Sequence, residues 1–125
     1  MKHQLTGCLL LVAVSAITAP AKAADRYEDD SAARAVLECH ARYAQTYATI
    51  RPIFQASDIA IGAKAHCIEQ MREFERHVRE DASGSGKAVW MMPAVADRYL
   101  GGFHEYVYAY TVDQYVKAVA AATAH

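Results

Sequence analysis

Two apolar stripes of helical period, separated by a single proline, most constrain what this chain can fold into. In each stripe the apolar residues recur every three or four positions, as on one face of an α-helix. Proline disfavours helical geometry in the preceding residue, so the first helix is expected to run from a cap at Ser31 to about Arg51. The second helix is expected to begin near Ser57 and to continue beyond Val78. The first stripe comprises Val36, Cys39, Tyr43, Tyr47 and Ile50, and the second comprises Ala60, Ala63, Cys67, Met71, Phe74 and Val78.

Each stripe contains one cysteine, and the two cysteines are placed symmetrically about the proline. The position midway between Cys39 and Cys67 is residue 53, directly after Pro52. In an antiparallel helical hairpin, residues equally far from the turn lie side by side, and an even number of cysteines outside the cytoplasm indicates a disulfide. The sequence therefore predicts a Cys39–Cys67 bridge across a hairpin of the first two helices. The alternative is a pair of buried thiols in a reducing compartment.

The first two dozen residues have the pattern of an export signal. A basic start is followed by an apolar run from Leu9 to Ile17, then by Pro20 and the small-x-small site Ala21-Lys22-Ala23. This run is too short for a membrane-spanning helix, and Cys8 precedes the apolar core, unlike a lipoprotein cysteine. We therefore expect a cleavable signal peptide over 1–23, a flexible N-terminus over 24–30, and one helical domain over 31–125 in the periplasm or secreted. A lipoprotein is the minor alternative.

The remainder of the chain also favours helices. Pro93 suits the first position of a short helix that extends through Leu100, and Gly101-Gly102 is expected to interrupt or kink it. A last helix is expected over 103–123, although alternating tyrosines make a strand over 106–112 the rival prediction. The predicted fold is all-α, a small bundle of three to four helices in which the first two form a disulfide-linked antiparallel hairpin.

The charge of the exported domain argues against several partners. It keeps all 14 acidic residues but loses two of the 13 basic residues, Lys2 and Lys22, and is therefore mildly acidic. Such a balance favours neither nucleic acid nor an anionic membrane surface. We expect no cofactor and no membrane span after signal cleavage, and the expected partner is another envelope protein. The oligomeric state does not follow from the sequence.

Four residues are candidates for a metal site, although a disulfide with incidental histidines is the preferred interpretation. Cys39-His40 and His66-Cys67 place imidazoles beside the thiols, and Glu73 and His77 stand four apart on one helix. Adjacent helical residues diverge by about 100°, so Cys39 and His40 do not converge easily on one ion. A solvated face of ion pairs explains Glu73 and His77 more simply. The weak metal candidates are thus His40, His66, Glu73 and His77.

A group of aromatic residues in the C-terminal half forms a candidate binding surface. The alternative is that these residues belong to the core, as aromatic side chains at helical spacing more often do. The members of this surface are Trp90, Tyr99, Phe103, Tyr106 and Tyr110.

No motif in the sequence predicts catalysis. There is no Gly-x-Ser-x-Gly elbow and no Cys-x-x-Cys-His haem attachment site, and we expect the protein not to be an enzyme. Its export signal, cysteine pair and helical core are similar, in gross features, to those of periplasmic acid-stress chaperones and of immunity proteins against secreted cell-wall enzymes. The leading hypothesis is a non-enzymatic binding or inhibitor module, and the alternatives are a stress chaperone and a metal-binding protein.

Overall fold

The structure, a computed structural model, describes residues 27–83 and 93–124. Within these ranges every regular element is a helix, which confirms the all-α prediction and rejects the strand over 106–112. The expected signal peptide over 1–23 and Trp90 lie outside the described residues. In chain order the helices are α1 (Ser31–Ala48), α2 (Ala56–His66), α3 (Ile68–Ser83) and α4 (Pro93–Thr123).

The first helix begins and ends close to its predicted bounds. Its N-cap is Asp30 and not Ser31, because the Asp30 carboxylate accepts hydrogen bonds from the backbone N–H groups of Ala32 (2.8 Å) and Ala33 (3.1 Å). A carboxylate in this position also interacts favourably with the positive end of the helix dipole. The helix ends at Ala48, before the cis Arg51–Pro52 peptide bond.

Residues 27–30 precede α1 and contact the bundle through one aromatic side chain. Tyr27 is buried, and its ring packs edge-on against Phe103 at a centroid distance of 4.9 Å. The backbone N–H of Asp30 donates to the carbonyl of Tyr27. Burial of an aromatic side chain is favourable, so Tyr27 attaches this short stretch to the bundle.

The single second helix expected from the apolar stripe is two helices in the structure. Cys67 ends α2 with a backbone conformation outside the helical range, and α3 begins at the next residue. Hydrogen bonds nevertheless cross the junction, from the N–H of Cys67 to Ala63 and from that of Met71 to the carbonyl of Cys67. Helical geometry is thus interrupted at the cysteine without leaving these groups unpaired.

The two glycines expected to interrupt the C-terminal region lie inside one helix. α4 begins at Pro93, as predicted, and continues for 31 residues through Gly101-Gly102. Glycine weakens a helix by about 1 kcal/mol relative to alanine. Leu100 and Phe103, which flank the pair, are both buried, so tertiary packing maintains the helix through the glycines.

The core consists of two apolar clusters joined by the long helices α1 and α4. The larger cluster includes Phe74 and Phe103, whose ring centroids are 4.3 Å apart, and it joins α1 and α4 to α3. The smaller one, formed by Ala44, Ala48, Ile59 and Tyr115, joins the same helices to α2. None of the helices described is both long and apolar enough to cross a membrane.

Candidate functional site

The predicted disulfide is present and joins α1 to the α2–α3 junction. The Cys39 and Cys67 sulfur atoms are bonded at 2.11 Å, with the Cα atoms 5.9 Å apart. Both residues are buried, because each lies on the apolar face of its element. The bond closes a loop over 28 positions of sequence and fixes α1 relative to the α2–α3 junction.

A buried polar pair crosses from α1 to α4. His40 Nδ1 lies 2.8 Å from the hydroxyl oxygen of Thr111, and both side chains are buried. The Thr111 hydroxyl donates to the carbonyl of Val107 at 2.6 Å, so it accepts the hydrogen bond from His40 Nδ1–H. Burial lowers the pKa of His40 to about 4. The imidazole is therefore neutral at pH 7.

The four metal candidates do not converge. His40 faces Thr111, whereas the His66 ring lies tilted against Tyr43, with the ring centroids 5.3 Å apart. Glu73 pairs with Arg76 on the exposed face of α3, which holds the pKa of that carboxyl below its usual value. His77 lies 3.5 Å from Asp30 and 3.6 Å from Asp81, linking α3 to the cap of α1. The part of the chain that the structure describes contains no cluster of three or more His, Cys, Asp or Glu residues able to hold a metal.

The aromatic candidates form core more than surface. Phe103 is completely buried between Phe74 and Tyr27, so it has no exposed area with which to contact a partner. Tyr106 and Tyr110 are partly buried and pack against the larger cluster. Tyr99 alone of the four described candidates is exposed. Of the described candidates, Tyr99 and the partly buried Tyr106 and Tyr110 are thus the ones that have exposed area.

A groove that the sequence analysis did not identify lies where α1 meets the α2–α3 junction. It encloses about 310 Å³ and has Cys39 of the disulfide in its wall. The stacked rings of Tyr43 and Tyr47, with centroids 4.5 Å apart, form one side. Burial, and next its interaction with Tyr47, raises the pKa of Tyr43, so its hydroxyl stays protonated at pH 7. We call this cavity the Arg42 groove; its lining residues are Cys39, Arg42, Tyr43, Thr46, Tyr47, His66 and Gln70.

A second surface feature is a set of exposed apolar residues in the connection between α1 and α2 and in the first two turns of α2. Among the described residues eight large hydrophobic side chains are exposed, and four of them fall within residues 50–61, which we call the 50–61 segment. Their exposed fractions are 41% for Ile50, 52% for Ile53, 41% for Phe54 and 64% for Ile61. Single exposed apolar residues are ordinary, but several in one short segment often mark a contact surface.

The backbone of this segment is firmly attached to the bundle. The Tyr115 hydroxyl donates to the carbonyl of Phe54 at 3.0 Å, and the Phe54 ring lies edge-on to Tyr47 at 5.8 Å. The Arg51 guanidinium donates to the carbonyls of Ala48 and Ile50. The exposed apolar side chains are therefore presented from an ordered connection. The sequence contained one indication of this surface. Ile53 and Phe54 directly follow Pro52, and large apolar residues are uncommon in a solvent-facing turn.

No family model, curated protein or solved structure matches the chain, so its function rests on the geometry described above.

Proposed function

We propose that the chain is an exported, non-enzymatic protein-binding module of the cell envelope, of the inhibitor or immunity type, which contacts its partner through the 50–61 segment. The observation that carries this proposal is the set of apolar side chains held outward on a hydrogen-bonded connection. A binding surface that is already ordered loses less conformational entropy on association, and its apolar residues gain free energy when they leave water.

The covalent scaffold supports the same proposal. The segment lies wholly inside the loop that the Cys39–Cys67 bond closes, so the bond restricts both of its ends. In this proposal the N-terminal signal directs the chain to an oxidising compartment, where the bond forms and α1 pairs with the following helices as an antiparallel hairpin. The bond would then maintain the contact surface outside the cell, where chaperones that consume ATP are absent.

Site-specific photo-crosslinking in the producing cell tests this proposal. A benzophenone amino acid replaces Ile53 in one variant and Tyr108, which is half-exposed on α4, in the matched control. We expect a light-dependent adduct of one defined mass from position 53 and none from position 108. Ile61→Asp in the same chain should abolish that adduct, because a charge in an apolar contact must be desolvated. Equal adducts from both positions, or none from either, would refute the proposal.

The buried histidine favours a second candidate function, an acid-responsive chaperone. Protonation of His40 would place a charge in the interface between α1 and α4, where Thr111 is the hydrogen-bond partner and burial is the sole cause of the lowered pKa. No carboxylate contributes to that shift, so none is on hand to stabilise the imidazolium. Acid would then loosen the bundle and expose apolar surface to a client protein.

Dye binding as a function of pH distinguishes this second candidate. We expect the fluorescence of an apolar-surface dye to rise between about pH 6 and 4 for the native chain and to require a lower pH for His40→Leu. Prevention of the aggregation of an acid-denatured client should follow the same curve. Dye fluorescence that does not change with pH would rule out this candidate function. So would a rise that occurs at the same pH in His40→Leu as in the native chain.

A further inference from the structure

The Arg42 groove has a polar group that the fold leaves without a partner. The side-chain oxygen of Gln70 is shielded from solvent, yet no described residue donates a hydrogen bond to it. A buried polar atom without a partner destabilises a protein by about 1–3 kcal/mol, so such atoms often mark a place where a ligand or water binds. Gln70 lies in the wall of the cavity and not within the packed core.

The charge of the groove indicates the kind of ligand. Arg42 forms no ion pair with any residue in the described ranges, and His66 adds an imidazole on the same rim. No aspartate or glutamate belongs to the described lining. A guanidinium that is not already paired binds a carboxylate through two parallel hydrogen bonds. The groove is therefore suited to an anion.

The walls of the groove indicate that the ligand also contains an aromatic ring. Tyr43 and Tyr47 present aromatic rings, and the His66 ring continues this surface. A planar ring packs favourably against such a surface in an offset or edge-on arrangement. The volume of about 310 Å³ is at the lower end of the range for small-molecule pockets, which suits a ligand of one ring and its substituents.

We propose that the Arg42 groove binds a small aromatic carboxylate that carries a hydrogen-bond donor. The carboxylate pairs with Arg42, the ring packs against the tyrosines, and the Gln70 side chain, which lines the groove, turns its shielded oxygen toward the donor when the ligand binds. This site is separate from the protein contact proposed for the 50–61 segment, and neither depends on the other.

The backbone of α2 allows the groove to have this shape. A Cβ atom added at Gly62 would collide with the Tyr43 hydroxyl, so glycine is what allows the ring to lie against α2. The Cys39–Cys67 bond holds the α2–α3 junction next to α1 on the same side. The groove thus exists before a ligand arrives, which favours binding.

Binding is tested with three probes that differ by one group. 4-Hydroxybenzoate has all three features, benzoate lacks the donor, and 4-hydroxybenzamide lacks the charge. Titration of the full exported chain, followed by backbone amide chemical shifts in NMR, should show 4-hydroxybenzoate binding most tightly. The shifts should be centred on Arg42, Tyr43 and His66. The neutral amide should bind at least about tenfold more weakly, because it cannot pair with a guanidinium.

Two substitutions identify the groups responsible. Arg42→Gln should weaken 4-hydroxybenzoate binding about tenfold, whereas Arg34→Gln, the same charge change on an exposed part of α1 outside the groove, should leave it unchanged. In Gln70→Leu the preference for 4-hydroxybenzoate over benzoate should disappear. If none of the probes shifts the groove residues at millimolar concentration, or if Arg34→Gln and Arg42→Gln weaken binding equally, the site does not exist as proposed.

Discussion

Burial changes the acid–base behaviour of His40. It is 2% exposed, donates to the Thr111 hydroxyl, and has no charged neighbour that contributes to its shifted pKa. A histidine in an unfolded chain has a pKa of about 6.5, so the unfolded state binds the proton more tightly than the folded state does. Proton binding thus opposes folding at this one residue.

The sign of this linkage gives a prediction for stability. The contribution of neutral His40 is fully present above about pH 6.5 and is lost as the pH falls toward about 4, a decrease of about 3 kcal/mol. Urea unfolding at pH 7, 5 and 4 measures it, with His40→Leu as the control that removes the titrating group. Between pH 7 and pH 4 the free energy of unfolding should fall further for the native chain than for the control. Parallel curves for the two proteins would contradict the prediction.

The helices differ in what holds them together. α1 has a capping carboxylate at Asp30, and α3 has an exposed row of ion pairs that includes Glu73, Arg76 and Glu80. Exposed pairs at this spacing contribute only a few tenths of a kcal/mol each. α4 depends instead on buried side chains on both sides of Gly101-Gly102. Its glycines are therefore a local weakness that packing compensates.

Glycine-to-alanine substitutions test that explanation at the level of the helix. No atom lies within 4 Å of a Cβ built at Gly101, so Gly101→Ala should stabilise the protein by about 1 kcal/mol. Gly62→Ala, also within a helix, should instead destabilise it because the new methyl group meets the Tyr43 hydroxyl. Thermal unfolding of both variants against the native chain provides the measurement. A stability loss in Gly101→Ala would show that the glycine is needed for another reason.

At the scale of the whole fold, the described residues form two apolar clusters and contain one covalent cross-link. The clusters share α1 and α4, while α2 and α3 each complete one of them. Opening the Cys39–Cys67 bond removes the link between α1 and the point where α2 meets α3. Because a domain of this size has a total stability of about 5–15 kcal/mol, that link is a large part of the whole.

Removal of the bond should therefore weaken the entire fold. The loop of 28 positions corresponds to about 3.5 kcal/mol in the chain-entropy description, so Cys39→Ser with Cys67→Ser should lower the free energy of unfolding by about that amount. Denaturant unfolding of the oxidised native chain and of the double variant measures the difference. Adding reductant should lower the free energy of unfolding of the native chain and leave that of the double variant unchanged. Equal midpoints would show that packing alone holds the helices in place.

The sequence by itself determined the helical class, the start of α4 at Pro93 and the pairing of the two cysteines. These features depend on the period of apolar residues and on proline, which act over a few neighbouring positions. The cysteine pairing followed from its symmetry about Pro52, with one residue of each stripe on the buried face.

Tertiary structure decided the rest: the burial of His40, the continuity of α4 through its glycines, the break at Cys67 and the Arg42 groove. His40 and Thr111 are separated by 71 positions, and the groove takes residues from three helices. Local pattern does not specify which faces meet across such distances, because burial depends on the packing of whole helices.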